Sequence, residues 1–221
     1  TCAIHCRYCF RRHFPYQENR NNRQQWREAL DYINGDPTIE EVILSGGDPL
    51  VASDSLLTEL VSQVAAIDHV RRLRFHSRLP IVLPDRVTPG LLDAICHPSL
   101  QTIRVVHANH AREIDDQVCA AVTTLRECGV TALNQSVLLK GINDTTRALV
   151  ELSERLFSAG ILPYYLHLMD KVQGAAHFDL PERRARQLMG EVAARLPGYL
   201  VPRLMREEAG GSAKTSLDFI Y

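Results

Sequence analysis

"EEVILSGGDPL", from Glu40 to Leu50, is a short apolar strand that ends at a glycine pair, and the helical stretch after it decides the fold. "DSLLTELVSQVAAI" sets Leu56, Leu57, Leu60, Val61 and Val64 at helical spacing behind a capping-type Asp54. The same unit recurs as "RLRFHS" with "TPGLLDAIC", "TIRVVHA" with "DDQVCAAVTTLREC", and "TALNQSVLL" with "TTRALVELSERLFSAG". "LPYYLHLM" with "PERRARQLMGEVAARL" comes next, its helix starting at a favourable Pro181, and the strand "YLVPRLMRE" closes the series. Strand and helix units joined by right-handed crossovers give a parallel sheet whose strands end together on one face. The 221 residues fall short of the roughly 250 of an eight-unit barrel. The expectation is therefore an α/β fold, a partial parallel (β/α)6 barrel. A doubly wound open sheet is the competing arrangement, but no GxGxxG follows the first visible strand.

No repeat, low-complexity tract or Gly/Ser-rich linker divides the chain, so one domain over residues 1–221 is expected. Hydrophobic residues make up 45% and the formal net charge is -1, with 25 Lys+Arg against 26 Asp+Glu. That balance gives no argument for a nucleic-acid partner, although "HVRRLRFHSR" is locally basic and reads equally as a solvated face. No apolar run approaches the ~20 residues that span a bilayer, and nothing at the start resembles a signal peptide. The expectation is a cytoplasmic protein with neither membrane nor nucleic acid as partner. A cysteine motif opens the chain at its second residue with no strand before it, so a first strand and an N-terminal part are expected to precede Thr1.

Residues suited to chemistry recur just after the strands: Gly46, Gly47 and Asp48; His76 and Ser77; His107 and His110; Gln135; Asp170; Glu207 and Lys214. In a barrel these converge on the C-terminal mouth, where such folds keep their sites. Cys2, Cys6 and Cys9 crowd into "TCAIHCRYCFRRHF", whereas Cys96, Cys119 and Cys128 are scattered. A disulfide framework does not fit that distribution, and metal ligation does. A structural zinc site needs four ligands, of which His5 is the one further candidate nearby. A [4Fe-4S] cluster on three thiolates leaves one iron free for a ligand, which parallels the open position of catalytic metal sites.

CxxxCxxC with Tyr8 before the last cysteine resembles the radical S-adenosylmethionine (SAM) enzymes. "CRYCFRRHF", "ILSGGDPL", "NQSVLLKGIND", "PYYLHLMD" and "AGGSAKTS" together resemble the lysine 2,3-aminomutase family across nearly the whole chain. The similarity is closest to the bacterial branch that makes β-lysine for modifying elongation factor P. The resemblance implies a [4Fe-4S] cluster on Cys2, Cys6 and Cys9, with S-adenosylmethionine on its free iron. It places Tyr8, Ser45, Gly46, Gly47, Asp48, His107 and Gln135 along S-adenosylmethionine. Lys214 becomes the catalytic lysine that carries pyridoxal 5'-phosphate, whose phosphate the family also holds through residues that would precede Thr1.

For the substrate, the resemblance gives Asp170 and Glu207 to the side-chain ammonium of lysine and Arg11 to its carboxylate. Charged groups buried in a pocket need such partners. The implied reaction moves the 2-amino group of L-lysine to C3. A flavodoxin or ferredoxin would supply the electron, and a β-lysine ligase would link the product to elongation factor P. Three residues depart from the patterns of relatives: Phe10 stands where the longer fermentative enzymes have threonine, Glu207 where they have aspartate, and Asp48 where many superfamily members have glutamate. Taken without the resemblance, each charged residue reads as solvated surface, Gln135 and His107 as hydrogen-bonded rim, and the glycine pair as a tight turn. The rival functions are an aminomutase for glutamate or another amino acid, a non-catalytic iron-sulfur protein, and a structural zinc module.

Overall fold

The structure is a computed structural model that describes residues 2–11, 23–208, 210 and 214–217. Helix α1 (Arg23–Gly35) precedes β1 (Glu41–Leu44). Then come α2 (Asp54–Ala65), β2 (Arg72–His76), the short α3 (Leu79–Val82), α4 (Pro89–Ile95) and β3 (Gln101–Val106). The series continues with α5 (Asp116–Glu127), β4 (Thr131–Val137), α6 (Thr146–Ser158), β5 (Leu162–His167), α7 (Glu182–Ala193), β6 (Arg203–Arg206) and β7 (Thr215–Ser216).

The strands form one sheet in chain order, β1 to β7. The first six run parallel in sequential pairs, and β7 alone runs antiparallel, Met205 opposite Ser216. An unbroken order means the sheet is wound in one direction, with no switch point, so the doubly wound alternative does not apply. Among the described residues β1 pairs only with β2 and β7 only with β6, so the sheet is an open half-barrel. The expected partial parallel barrel is the fold, with β7 as an addition that two residues of sequence do not announce.

The core lies between the sheet and its helices. On β2, Leu73 and Phe75 are fully buried and pack with Leu57, Val61 and Val64 of α2 and Leu91 and Ile95 of α4. Fully burying each such side chain contributes about 1.5–3 kcal/mol. The alternate residues Arg74 and His76 face the opposite side, so β2 separates an apolar outer face from a polar inner one. On α6, Leu149, Leu152 and Leu156 supply the buried stripe at helical spacing. Arg104 is an unusual member of the interior: it is 0% exposed, and its three guanidinium nitrogens have no hydrogen-bond partner among the described residues.

Two helix starts differ by one residue from the sequence expectation. Ser53, not Asp54, caps α2, its side chain accepting from the Leu56 amide at 3.3 Å, while Asp54 pairs with Arg86 at 2.6 Å. Pro181 is the cap residue of α7, which begins at Glu182. Among the described residues no helix is long and apolar enough to cross a membrane.

Candidate active site

A cavity of about 580 Å³ opens where the parallel strands end. Its wall includes Ile43 of β1 and Glu207 just after β6, so the two edges of the half-barrel curl around one space. Cys2, Cys6, Cys9, Tyr8, Arg11, Ser45, Gly46, Gly47, Asp48, His107, Gln135, Asp170, Glu207 and Lys214 all line it. The stretch 211–213 and Ala209, most of the glycine-bearing segment before Lys214, lie outside the described residues.

The three cysteines of the opening loop are half-buried, and the Cys9 amide donates to the Cys6 carbonyl at 3.2 Å, which turns the loop back on itself. Burial pushes the Cys2 thiol up, and the Asp48 carboxylate adds to the rise. Among the described residues no three His, Cys, Asp or Glu side chains gather tightly enough for a single metal ion. The thiolates of a four-iron cluster each ligate a different iron, so they need not converge on one point, and three thiols around a cavity mouth suit that donor set. Arg78 closes the loop from the side. Its Nη1 donates to Cys6 Sγ and to Tyr8 Oη, both at 2.9 Å, and its Nη2 pairs with Glu113 Oε2 at 2.7 Å. Asn109 Nδ2 donates to the same Tyr8 Oη at 2.6 Å. Two donors already point at that hydroxyl, leaving its own proton as the hydrogen bond it can still give.

After β1 the chain turns through Gly46, whose φ of +121° is closed to other residues at little cost. Asp48 uses both carboxylate oxygens on backbone: Oδ1 accepts from Leu50 at 3.1 Å, and Oδ2 from Arg78 at 2.8 Å and Leu79 at 3.2 Å. It therefore clamps the β1 turn to the start of α3. Arg11 lies over the Phe10 ring at 5.0 Å and reaches Ser45 Oγ at 3.5 Å.

β2, β4 and β5 bring to the cavity three buried polar atoms without a hydrogen-bond partner among the described residues: His76 Nε2, Gln135 Oε1 and His167 Nε2. The β4–β5 register shifts here, Asn134 facing Pro163 and Gln135 facing Tyr165, so the extra residue, Tyr164, lies on β5. Asn134 is spent on Ala108, taking its amide at 2.8 Å and giving to its carbonyl at 3.1 Å, and the ordinary alternation of β4 turns Gln135 to the cavity face. Burial, with Arg74, Lys214, Arg11 and Arg104 around it, lowers His76 to about 4. Burial first, then the neighbouring His76 and the guanidinium of Arg78, brings His107 to about 3. His167 falls to about 3 through burial and the Lys214 ammonium. All three imidazoles are neutral at physiological pH and available as hydrogen-bonding groups. His110 lies apart from them: it caps the turn Ala111–Glu113, its Nδ1 accepting from the Arg112 amide at 3.2 Å.

On the far wall Lys214 Nζ stands 3.7 Å from Glu207 Oε2 and 5.4 Å from the centre of the Tyr165 ring. Tyr165 is stacked on Tyr164 and meets His167 edge-on, which makes an aromatic bed under the lysine. Burial raises the Asp170 carboxyl, the Glu207 charge raises it further, and Lys214 opposes both. Two carboxylates and one amine thus share a wall that is short of positive charge. Sequence reasoning misses Arg78, Asn109, Glu113, Tyr165 and His167 as members of the site. For Tyr165 and His167 a signal is present, since "YYLH" ends a strand.

The radical SAM superfamily model matches residues 1–152. The chain is 52% identical over 217 residues to the L-lysine 2,3-aminomutase of Escherichia coli (strain K12), covering 98% of this chain and 64% of that protein. Against the L-lysine 2,3-aminomutase of Clostridium subterminale the identity is 36% over 218 residues, covering 97% of this chain and 51% of that one. The chain thus spans between half and two thirds of these relatives. Among solved structures, native anSMEcpe with bound AdoMet and a peptide superposes with a TM-score of 0.61 at 10% identity, covering 87% of this chain and 56% of that one. A radical SAM methyltransferase from Sphaerobacter thermophilus gives 0.52 at 17% identity, covering 83% and 55%. With a family model over more than half of its length and the half-barrel to match, the chain belongs to the radical SAM superfamily.

Proposed function

We propose that this chain is the catalytic domain of a lysine 2,3-aminomutase, converting L-lysine to β-lysine in the cytoplasm for modification of elongation factor P through a β-lysine ligase. Membership of the superfamily implies a [4Fe-4S] cluster and S-adenosylmethionine; pyridoxal phosphate on Lys214, and a flavodoxin or ferredoxin as electron donor, complete the proposal. When bound, these groups supply hydrogen abstraction from an unactivated carbon and the delocalisation that lets an amino group migrate.

The observation that carries the reading is the meeting of Lys214, Asp170 and Glu207 with the cysteine loop in one cavity. Cys2, Cys6 and Cys9 would hold the irons. The orphan atoms of Gln135 and His76, with His107, Tyr8 and the Ser45–Asp48 turn, offer hydrogen bonds along the wall between loop and lysine. Lys214 suits a carbonyl cofactor because its amine is half-buried over an aromatic face. Asp170 and Glu207 favour a substrate that brings an ammonium: it would relieve the repulsion that raises Asp170. A second carboxylate, as in glutamate, would add to that repulsion. Arg11, which lines the cavity beside Ser45, would take the α-carboxylate.

The test is anaerobic incubation of the full-length protein with lysine, S-adenosylmethionine, pyridoxal phosphate and a reductant, with glutamate in a parallel reaction. Chromatography should show β-lysine from the first and no β-glutamate from the second. Product from glutamate alone would replace lysine as the substrate, and product from neither would leave the non-catalytic iron-sulfur reading.

A further inference from the structure

Arg78 is the one cation that touches a cysteine of the opening loop through a hydrogen bond among the described residues. Its guanidinium is held through both terminal nitrogens, while its Nε has no partner among the described residues. Both Nη1 protons are committed, one to Cys6 Sγ and one to Tyr8 Oη at 2.9 Å each, and Nη2 forms the 2.7 Å pair with Glu113. Glu113 is held in turn, its Oε1 accepting from the amides of Asn109 at 2.7 Å and His110 at 3.0 Å. Asn109 joins Tyr8 Oη at 2.6 Å to the end of β4, its Oδ1 accepting from the Val137 amide at 2.8 Å. The Arg78 amide is anchored separately on Asp48. Side-chain exposures of 22% and 24% for Arg78 and Glu113 leave the pair little screened by water.

We infer that Arg78 is a positioning residue that tunes the cluster: it fixes the Cys6 sulfur and raises the reduction potential of the bound [4Fe-4S] group. The inference rests on the reading of Cys2, Cys6 and Cys9 as cluster ligands. Adding an electron to a cluster increases the negative charge on its sulfurs, so a fixed, charge-assisted N–H donor at one sulfur stabilises the reduced form more than the oxidised one. The Glu113 pair holds the fork in place and keeps it from swinging into the cavity. The nearby Arg7 carries the same charge without the contact, since it is exposed, lies over Phe178 at 5.1 Å and bonds His177 at 3.3 Å.

The experiment is an EPR-monitored redox titration of the full-length, anaerobically reconstituted protein without S-adenosylmethionine, alongside iron and sulfide analysis. Arg78→Gln, Arg78→Lys and Arg7→Gln are compared with wild type. Arg78→Gln should keep four irons and lose about tenfold in the equilibrium for reduction, a midpoint about 59 mV more negative for one electron. Arg78→Lys, which keeps the charge but not the fork and is the milder test of folding, should shift in the same direction by less and alter the EPR line shape. Arg7→Gln should move the midpoint by under a third of the Arg78→Gln shift. Cluster-loaded Arg78 variants with an unmoved midpoint, or an equal shift in Arg7→Gln, would overturn this inference alone. Wild-type protein without a four-iron cluster would overturn both it and the ligand assignment.

Discussion

Asp170 and Glu207 line one wall beside Lys214, and their mutual repulsion is what raises Asp170 after burial. Breaking one partner of a buried charged pair costs on the order of 3–5 kcal/mol, which a partly wet wall reduces. Asp170→Asn should therefore lower kcat/KM for lysine at least tenfold, with a smaller relative loss for norleucine, which lacks the ammonium. Equal losses on both substrates would give Asp170 a supporting role instead. The same substitution has an opposite effect on stability. An acid whose folded pKa is raised destabilises the fold as pH rises through that window, so at pH 7 Asp170→Asn should stabilise the cofactor-free protein. Solvent screening keeps the gain to about 0.5 kcal/mol, or about 1–2 °C in Tm. The candidate residues are legible because strand ends show in the sequence and a half-barrel gathers strand ends. Arg78, Asn109 and Glu113 are not, because their bonds join residues 72 and 101 positions apart, or depend on a turn that no periodicity marks.

At the scale of elements, the order of strands and helices follows from apolar spacing, and the structure keeps it. Helix starts slip by one residue at α2, where Ser53 and not Asp54 is the cap, and at α7, where Pro181 is the cap residue and not the first helical one, because backbone geometry sets these boundaries. Helix α1 escapes a reading by periodicity because its few apolar residues, Leu30 and Ile33 among them, are half-buried against the core. The cysteine loop is the element with the sharpest test. Alanine at Cys2, Cys6 or Cys9 should abolish the iron content of anaerobically reconstituted protein, and stoichiometric zinc without iron in wild type would contradict the cluster. Alanine at Cys96, Cys119 or Cys128 should leave iron unchanged. Cys96 and Cys119 pack at the edge of the core as helical settings suggest, and Cys128, exposed at the end of α5, meets the Cys96 side chain.

Across the whole molecule, a half-barrel that turns a polar face to its cavity buries histidines in neutral form. His76, His107 and His167 have folded pKa values of about 4, 3 and 3 against an ordinary 6.5. Unfolded chain binds these protons first as pH falls, so their contribution is fully present above pH 6.5 and is lost toward pH 4. Each histidine adds up to about 1.4 kcal/mol per pH unit to that loss. Urea unfolding of the full-length protein should show stability falling from pH 7 to pH 5, with a flatter slope in His167→Asn. A slope unchanged by that substitution would mean that the imidazole is not held neutral.

The proposed junction of a cluster-binding loop and a cofactor-binding lysine across one cavity is tested most directly by borohydride reduction of the full-length protein loaded with pyridoxal phosphate, followed by peptide mapping. Label on the peptide carrying Lys214, and on no other, is the predicted result. Label on a different lysine, or none on protein that retains its cluster, would contradict it.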